Sequence, residues 1–396
     1  MLHREDHDAR HAACCERARG LVPALAERAE ETERLRRLPE ATLRDFHDSG
    51  LFRLLQPQSV GGSELDYAAL VEVQAILARG CASSAWTLTN LASHHWMLAM
   101  FPPAAQDRVW SEDPAALIAS SFIFPAGRAW RVDGGYRLTG RWPFSSGVDP
   151  SAWNMLAGQV EGSGEPPEHR VFLLPRSEYE IIDTWHASGL KGTGSNDVAC
   201  SDAFVPEEMS VAAGDLKGGP TPGSVRHQNA LYQLPVFALF PLILSGVALG
   251  IAEAAVEGYV GGSRERASHY SGAQLAEMQA THMRIGNAAS RTDVAREVML
   301  SICRTAMEAA RAGRVPDLAT KMRYRRDVAF ATNLCIEAVD MVCAGSGAEA
   351  LYAKSTLQRH FRDAHAVGAH IAFSMDAAAS AYGRAALGLD TSHPTI

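Results

Sequence analysis

The chain has 396 residues, 47% of them hydrophobic and 21% charged, with a formal net charge of -8 at pH 7. A sequence this long and apolar can bury a large core, which excludes a disordered or fibrous protein and predicts two or three domains. The acidic balance leaves no basic field for nucleic acid, so the basic runs at residues 34–37 and 321–326 are interpreted as solvated helix faces.

The first third of the chain has the spacing of helices. Residues 13–55 alternate apolar and charged positions with helical period, and Pro39 is expected to begin the first turn of a second helix. Gly61 and Gly62 mark a loop, after which the helical spacing returns at residues 67–78 and 83–100.

The middle third, from about residue 115, changes to short runs typical of β-strands. Residues 130–132 and 136–139 flank Asp133-Gly134-Gly135, which predicts a hairpin. Residues 171–174 and 198–205 extend this β-rich segment.

Helical spacing returns from about residue 231 to 387, with expected interruptions at 261–263, 311–316 and 344–347. Residues 234–252 carry no charge and are long enough to cross a bilayer. Because prolines interrupt this stretch and basic anchors do not flank it on both sides, the pattern favours a helix buried in the core over a membrane span.

The seven cysteines form no C-x-x-C pair and lie mostly in apolar helical stretches, so neither a metal cluster nor a disulfide framework is predicted. The N-terminal residues are too charged for the apolar segment of a signal peptide. Together these features predict a cytoplasmic protein without a bound metal.

Five short runs resemble the acyl-CoA dehydrogenase fold and, within it, the monooxygenases that use reduced flavin. In chain order they are Leu51–Pro57 with Gly61-Gly62, Cys81–Trp86, Gly140–Gly147, Gly189–Val198 and Phe361–His365. The resemblance covers nearly the whole chain.

The resemblance implies an α+β, acyl-CoA dehydrogenase-like fold in three domains. These are an N-terminal helical domain over 1–112, a central β-barrel or sandwich over 113–225 and a C-terminal four-helix bundle over 226–396. It also implies a homotetramer in which the C-terminal helices of the subunits pack together.

One residue type separates the two activities of this fold. A dehydrogenase needs a carboxylate base to remove a proton beside the thioester carbonyl. The stretch after Arg362-Asp363-Ala364 contains histidines instead, and no acid lies between Asp215 and Glu253. Both positions at which the family places its glutamate lack one, which favours oxygen chemistry.

The resemblance implies two catalytic imidazoles. His370 follows a run of mostly small residues and is expected near the flavin C4a, as a base or as a hydrogen-bond partner. His94, which aligns better than His95, is expected to face the substrate. His365 lies five residues before His370, so helical geometry would turn it away from the site.

The resemblance also implies the residues that hold the flavin. Ser145 and Ser146 are expected beside N5, with Ser146 matching the monooxygenase pattern better and counted as catalytic. Gly192-Thr193-Gly194-Ser195 supplies small residues and hydroxyls that suit a chain wrapped around a ring or a phosphate. Arg266 aligns with an arginine that reaches the flavin phosphate of a neighbouring subunit.

The expected enzyme is a two-component monooxygenase that uses reduced FMN or FAD and O2, through a C4a-hydroperoxyflavin, to hydroxylate a phenolic, polycyclic aromatic or natural-product substrate. The sequence contains no nucleotide-binding glycine motif for a nicotinamide, so a separate NAD(P)H:flavin reductase is implied as partner. The alternatives are an amino-sugar N-oxygenase on the same scaffold, an FAD-dependent acyl-CoA dehydrogenase, and a flavin-binding regulator without activity.

Overall fold

The N-terminal third is helical in the computed structural model, which describes residues 2–268, 271–389 and 395–396. Its helices are α1 (Leu2–Glu27), α2 (Ala29–Leu35), α3 (Glu40–Asp48), α4 (Ala68–Ala78), α5 (Ala82–Leu98) and α6 (Pro103–Glu112). The predicted helix start after Pro39 is confirmed, because the fixed φ of proline suits the residue that precedes a first turn. The two helices predicted after Gly62 are confirmed as α4 and α5.

The middle third forms one mixed sheet of eight strands. They are β1 (Ile118–Ser121), β2 (Gly127–Val132), β3 (Gly135–Ser145), β4 (Trp153–Val160), β5 (Glu168–Pro175), β6 (Glu180–Ile182), β7 (Asn196–Pro206) and β8 (Ser210–Ala212). The order is β6-β7-β3-β2-β4-β5-β8, and β1 pairs in parallel with β4. The predicted hairpin is confirmed, since Val132 pairs with Gly135 across a two-residue turn.

The last third is helical. Its helices are α7 (Val236–Leu239), α8 (Leu242–Glu265), α9 (Gln279–Arg311), α10 (Leu318–Ser346), α11 (Thr356–Gly368) and α12 (Met375–Ala386). The breaks predicted at 311–316 and 344–347 are confirmed. The break predicted at 261–263 is wrong, because α8 continues to Glu265. Burial of Tyr259 and Ser263 in the core outweighs the loss of about 1 kcal/mol that each glycine causes in a helix.

The uncharged stretch is a central helix, as predicted. Within the described part of the chain, two helical segments, 236–265 and 318–346, are long and apolar enough to cross a membrane, but 89% of the apolar window in the first is buried against the rest of the protein. Gly246 and Gly250 bring α8 close to α4, because a Cβ at Gly250 would lie 2.1 Å from the carbonyl oxygen of Ala75. The helix therefore packs as a core element.

The polypeptide returns to the sheet through α11. The buried carboxylate of Asp363 accepts a hydrogen bond from the backbone N–H of Leu190 (2.7 Å), and burial raises the pKa of this carboxyl to about 6. A Cβ at Gly189 would lie 2.2 Å from the carbonyl oxygen of Arg362, so only glycine fits there. These contacts fix the loop before β7 against the helix that precedes His370.

Candidate active site

A series of aromatic rings connects the two histidines singled out in the sequence. Five of these rings, called here the aromatic cluster, belong to Trp86, Phe122, Phe237, Phe240 and Phe373. The ring of His94 lies 6.0 Å from that of Phe122, which lies 5.8 Å from Phe240. The ring of Phe240 lies 6.1 Å from that of His370, nearly parallel to it. The structure thus places both imidazoles against one apolar surface, built from α5, the end of β1, α7 and the turn after α11.

His94 presents a free acceptor to this surface. Its Nδ1 lies 2.5 Å from the carbonyl oxygen of Ile118, so Nδ1 must carry the proton. In the neutral ring Nε2 then holds a lone pair, and this atom is buried without a hydrogen-bond partner. Burial lowers the pKa of His94 to about 4, so the ring is neutral at pH 7.

His370 presents the opposite polarity. Its Nδ1 accepts the backbone N–H of Ala372 (3.1 Å), so the proton of the neutral ring lies on Nε2. Burial, with a smaller effect from the charge of Arg325, lowers the pKa of His370 to about 4. The sequence predicts a helical position for His370, but this residue lies after α11 and caps a 3-10 turn over residues 371–373. This turn is what fixes its tautomer.

The two tautomers make the two imidazoles of the site chemically different. One end of the aromatic cluster offers a lone pair at His94 Nε2, and the other offers an N–H at His370 Nε2. A substrate hydroxyl group is both a donor and an acceptor, and the two imidazoles can serve one function each. In these tautomers Nε2 of His94 can accept a hydrogen bond and Nε2 of His370 can donate one.

Trp86 connects His370 to the predicted serines. Its ring lies 6.0 Å from that of His370, and its indole Nε1 donates to the Oγ of Ser146 (3.1 Å). Ser146 Oγ lies 2.7 Å from Ser195 Oγ, which lies 2.6 Å from Thr193 Oγ1. These buried hydroxyls, called here the hydroxyl relay, join the loop after β3 to the loop before β7.

The direction of the hydroxyl relay follows from its ends. Thr193 Oγ1 lies 3.0 Å from the carbonyl oxygen of Leu190, which can only accept. When Thr193 donates there, Ser195 donates to Thr193 and Ser146 donates to Ser195, which satisfies every hydroxyl proton. Ser146 then receives the indole proton of Trp86 and keeps one lone pair free. The reverse order would lose one hydrogen bond, about 0.5–1.5 kcal/mol.

The remaining predicted flavin residues lie around this relay, except one. Ser145 is buried and accepts from Nδ2 of Asn154 (3.0 Å), and Gly194 adopts a left-handed φ of 55° directly before Ser195. Arg266 follows α8 and donates to the carbonyl oxygen of Ser346 (3.2 Å), at the end of α10. Its guanidinium is thus placed by the helical bundle and not by the hydroxyl relay.

His365 lies outside the site. It is exposed, and its Nε2 lies 2.8 Å from a carboxylate oxygen of Asp340 on α10. His95 also faces elsewhere, with its Nδ1 accepting from the indole of Trp110 (3.2 Å). The neighbouring histidines are therefore available as matched controls.

Sequence reasoning missed three polar groups of the site. Trp86 donates to Ser146, a partner 60 positions away that its own stretch of sequence does not indicate. Asn154 orients Ser145, and Ser83 accepts the backbone N–H of Gly192 (3.1 Å). The available signal was the presence of polar residues in otherwise apolar segments, because polar groups that become buried almost always form hydrogen bonds.

The donor and acceptor set fits the flavin that the resemblance implies. A reduced isoalloxazine has apolar faces and carries an N–H at N5, which needs an acceptor such as the free lone pair of Ser146. Two further buried oxygens, Asn154 Oδ1 and Thr87 Oγ1, have no hydrogen-bond partner among the described residues. Both lie against the same loop, since Asn154 donates to Ser145 and a Cβ at Gly147 would lie 2.9 Å from Cγ2 of Thr87. A ring with polar edges would satisfy such atoms.

The fold and these residues define a flavin enzyme of the acyl-CoA dehydrogenase fold. Residues 8–116 match the family described as acyl-CoA dehydrogenase, N-terminal domain, and residues 242–375 match acyl-CoA dehydrogenase, C-terminal domain. The family-level match thus covers the helical regions on both sides of the sheet.

Three similar proteins narrow the class. The oxygenase subunit HsaA of a flavin-dependent monooxygenase from Mycobacterium tuberculosis is 36% identical over 93% of this chain and 94% of its own length. The oxygenase component of an FADH2-dependent resorcinol hydroxylase from a Rhizobium species is 33% identical over 96% and 95%. The structure of XiaF from a Streptomyces species, with FADH2 and glycerol, has a TM-score of 0.92 at 28% identity and covers all of both chains.

The chain belongs to the oxygenase components of two-component flavin-dependent monooxygenases. Its cofactor is reduced flavin, its co-substrate is O2, and a separate flavin reductase and a small-molecule substrate complete the system. The predicted fold, enzyme class and cofactor are thereby confirmed.

The buried imidazole of His94 makes the stability of the protein sensitive to acid. The folded-state pKa of His94, about 4, lies below the ordinary value of 6.5, so the unfolded chain binds its proton first. The resulting stabilisation is complete above pH 6.5 and is lost as the pH falls from 6.5 towards 4; at pH 5 the loss is about 2 kcal/mol. Between pH 7 and pH 5 we expect the free energy of unfolding of His94→Gln to fall about 2 kcal/mol less than that of the wild type. Urea unfolding at the two pH values measures this, and equal losses in both proteins would contradict it.

Proposed function

We propose that this oxygenase hydroxylates a phenol whose O–H donates to Nε2 of His94. The observation that carries the proposal is the lone pair of Nε2, buried against Phe122 without a partner. An acceptor left unsatisfied in the interior costs about 1–3 kcal/mol, and a phenolic hydroxyl would remove that cost. The aromatic cluster supplies apolar surface for the ring of such a substrate.

The chemistry follows from what each residue holds. The loops that carry Ser146 and Ser195 would hold reduced flavin, which when bound would activate dioxygen for transfer of one of its oxygen atoms. His94 accepts the phenolic proton at Nε2, which raises the electron density of the ring at the carbons ortho and para to the oxygen. His370 holds a proton at Nε2 and donates it in a hydrogen bond to an oxygen acceptor at the other end of the aromatic cluster. The surrounding aromatic rings keep water away from His94 and cover part of His370.

The residues proposed to hold the flavin are those of the hydroxyl relay and its neighbours. Ser146, with Thr193 and Ser195 behind it, offers its lone pair to the N–H of N5. Ser145 and Gly194 adjoin these residues on the same two loops. We place Arg266 at the flavin phosphate of a neighbouring subunit, in line with its position on the helical bundle.

The assembly and its division into domains are part of the same proposal. The domain boundaries are placed at 112/113 and 225/226, with Met1, residues 269–270 and residues 390–394 outside the described part of the chain. Exposed apolar side chains on the C-terminal helices, such as Met283, Val294 and Phe330, support packing of these helices in a homotetramer. The reductase would use NAD(P)H, and the protein would act in the cytoplasm.

The alternative activities lack support at the site. Glu253, the first acid of α8, is paired with Arg296 (2.5 Å) and Arg79 (3.9 Å), and Asp363 is occupied by the N–H of Leu190. Each carboxylate is already engaged by a donor, which argues against either one as the base of a dehydrogenase. The aromatic cluster around the two imidazoles favours a planar aromatic ring over an amino sugar.

A single-turnover experiment tests the proposed function. The protein is mixed without oxygen with one equivalent of reduced FMN and an excess of a simple phenol, air is admitted, and the hydroxylated product and hydrogen peroxide are counted. The proposal predicts that most equivalents of reduced flavin give one molecule of product, which is the phenol with one additional hydroxyl group. Conversion of all the flavin equivalents to hydrogen peroxide, across a panel of phenols, would reject it.

Loss of the hydroxyl relay is expected to uncouple flavin oxidation from hydroxylation. In Ser146→Ala the acceptor is gone, and one hydrogen bond of about 1–1.5 kcal/mol corresponds to a roughly five- to tenfold lower ratio of product to peroxide. Ser195→Ala removes the acceptor of the Ser146 proton but leaves the Ser146 oxygen in place. Its ratio of product to peroxide should therefore fall less than that of Ser146→Ala. The ratio is measured with a peroxide assay and chromatography of the product.

The matched control for the relay is Ser151→Ala. Ser151 is buried and donates to the carbonyl oxygen of Gly147 (2.8 Å), on the same loop but outside the relay. Its product-to-peroxide ratio should match that of the wild type. An equal drop in Ser151→Ala and Ser146→Ala would show that the loop responds to packing in general, and the acceptor role of Ser146 would be abandoned.

A further inference from the structure

Two cations on α10 have no acidic partner among the described residues. Arg325 donates from Nη1 to the carbonyl oxygen of Phe237 (3.1 Å), and its four other N–H groups make no hydrogen bond with the described residues. Burial lowers its pKa, and no carboxylate contributes to the shift. By contrast, Arg323 and Arg326 on either side are each paired with Asp327.

Lys321 lies one helical turn before Arg325, on the same face of α10. It is buried, and within the described residues it has neither a hydrogen bond from its ammonium group nor a carboxylate within 4 Å. Burial and the charge of Lys217 lower its pKa. The charge of Asp317 raises the pKa of Lys321, but this carboxylate is not within ion-pair distance of the ammonium group. One of its oxygens accepts the backbone N–H of Thr320 instead (2.8 Å).

This face of α10 lies beside the active site. The helix packs against α7 and against the 3-10 turn that carries His370. Arg325 reaches the backbone of Phe237, a member of the aromatic cluster, and Asn333, two turns further on, donates to the carbonyl oxygen of Phe373 (3.0 Å). The charge of Arg325 also acts on the imidazole of His370. Arg325 therefore adjoins the aromatic cluster, and Lys321 lies one helical turn further along the same face of α10.

Such an arrangement is unfavourable without an anion. Like charges one turn apart on a helix repel each other, and a partly desolvated cation without a counter-ion is costly to keep. A bound anion would satisfy both, and the planar donors of a guanidinium match the two oxygens of a carboxylate.

We propose that Lys321 and Arg325 form an anion-binding subsite that takes a carboxylate carried by the aromatic substrate. The substrate class is then an anionic phenol, with its hydroxyl group at His94 and its acidic side chain towards α10. The inference rests on the proposed function for the position of the ring, while the charge preference of the subsite is a separate property.

Binding of two matched ligands tests the subsite directly. Isothermal titration of the protein with 3-(4-hydroxyphenyl)propanoate and with its uncharged amide compares a carboxylate with a group of similar size. A charged hydrogen-bonded contact corresponds to a roughly ten- to hundredfold preference for the carboxylate in the wild type. In Arg325→Met the preference should disappear through weaker binding of the carboxylate, with the affinity for the amide unchanged.

Further variants separate recognition from structure. Arg325→Lys should restore part of the preference, because an ammonium group supplies charge without the planar fork, and Lys321→Met should lose part of it. Arg323→Met is the matched control on the same helix and should keep the wild-type preference. Arg325→Met should unfold at the same or a higher urea concentration than the wild type, since it removes a half-buried charge that has no acidic partner among the described residues.

The outcomes distinguish this inference from the proposed function. Equal affinities for the carboxylate and the amide, no binding of either, or a preference that survives Arg325→Met would overturn the subsite. If the carboxylate is preferred and the preference depends on Arg325, but neither ligand nor any simple phenol is hydroxylated, the subsite stands and the proposed function fails.

Discussion

His94→Gln is expected to lower the rate of phenol hydroxylation at least about 10²-fold, the lower end of the range for loss of a general base. Glutamine keeps a donor for the carbonyl oxygen of Ile118 and approximates the volume of the imidazole, so the fold is preserved. Its amide cannot take a proton from the phenol. The rate is measured as product formed per second with reduced flavin supplied in excess, and the affinity for reduced flavin should stay within about threefold of the wild type.

His95→Gln provides the comparison. The neighbouring histidine is equally buried, and it bonds to Trp110 and not to the aromatic cluster. Its hydroxylation rate should remain within about threefold of the wild type, whatever its effect on stability. If both substitutions slow hydroxylation equally, the effect comes from disturbance of α5, and the acceptor role of His94 is lost.

His370→Ala is expected to reduce hydroxylation by about 10²- to 10³-fold, the usual effect of removing one placed donor from an active site. Its Nε2–H is lost, and so is the Nδ1 cap on the N–H of Ala372. Asparagine separates the two losses, because its side-chain oxygen can cap the turn while its amide N–H remains a donor. We therefore expect His370→Asn to recover a substantial part of the rate.

His365→Ala is the control for this second prediction. His365 is exposed and forms an ion pair with Asp340, so its removal should leave hydroxylation unchanged. A wild-type rate in His370→Ala would exclude His370 from the chemistry. A rate in His370→Asn no higher than in His370→Ala would show that the donor at Nε2 is not what matters.

The architecture was accessible from the sequence because its signals are local. Apolar spacing of 3.6 residues, the proline before α3 and the Asp-Gly-Gly turn before β3 each depend on a few neighbouring residues. The mistaken break at 261–263 shows the limit of such signals. Two adjacent glycines predict a helix end, and only the packing of the opposite face of α8 in the core shows that the helix continues.

The polarity of the site was not accessible in the same way. The sequence indicated His94 and His370, but which nitrogen of each carries the proton depends on Ile118 and on the turn at Ala372. The role of Ser146 likewise depends on Trp86 and on Ser195, which are 60 and 49 positions away. Contacts between distant segments decide these roles, and one sequence contains no direct record of them.

Arg325 shows a third kind of difficulty. In the sequence it is one of several basic residues between 321 and 326, a run that suggests a solvated helix face. In the structure, Arg323 and Arg326 pair with Asp327, whereas Arg325 lies beside Phe237 without an acid. The difference arises from the direction in which α10 presents each side chain, and it becomes visible once α7 is placed against that helix.

The central claim is that a phenol bonds to His94 on an aromatic surface that also carries His370 and the flavin. The most direct measurement is a crystal structure of the protein prepared without oxygen, with reduced FMN and a phenol bound. We expect the phenolic oxygen within about 3.2 Å of Nε2 of His94, with Ser146 at N5 of the flavin and His370 on the same side as the phenol. A flavin ring bound elsewhere, or an aspartate or glutamate projecting onto its reactive face, would contradict it.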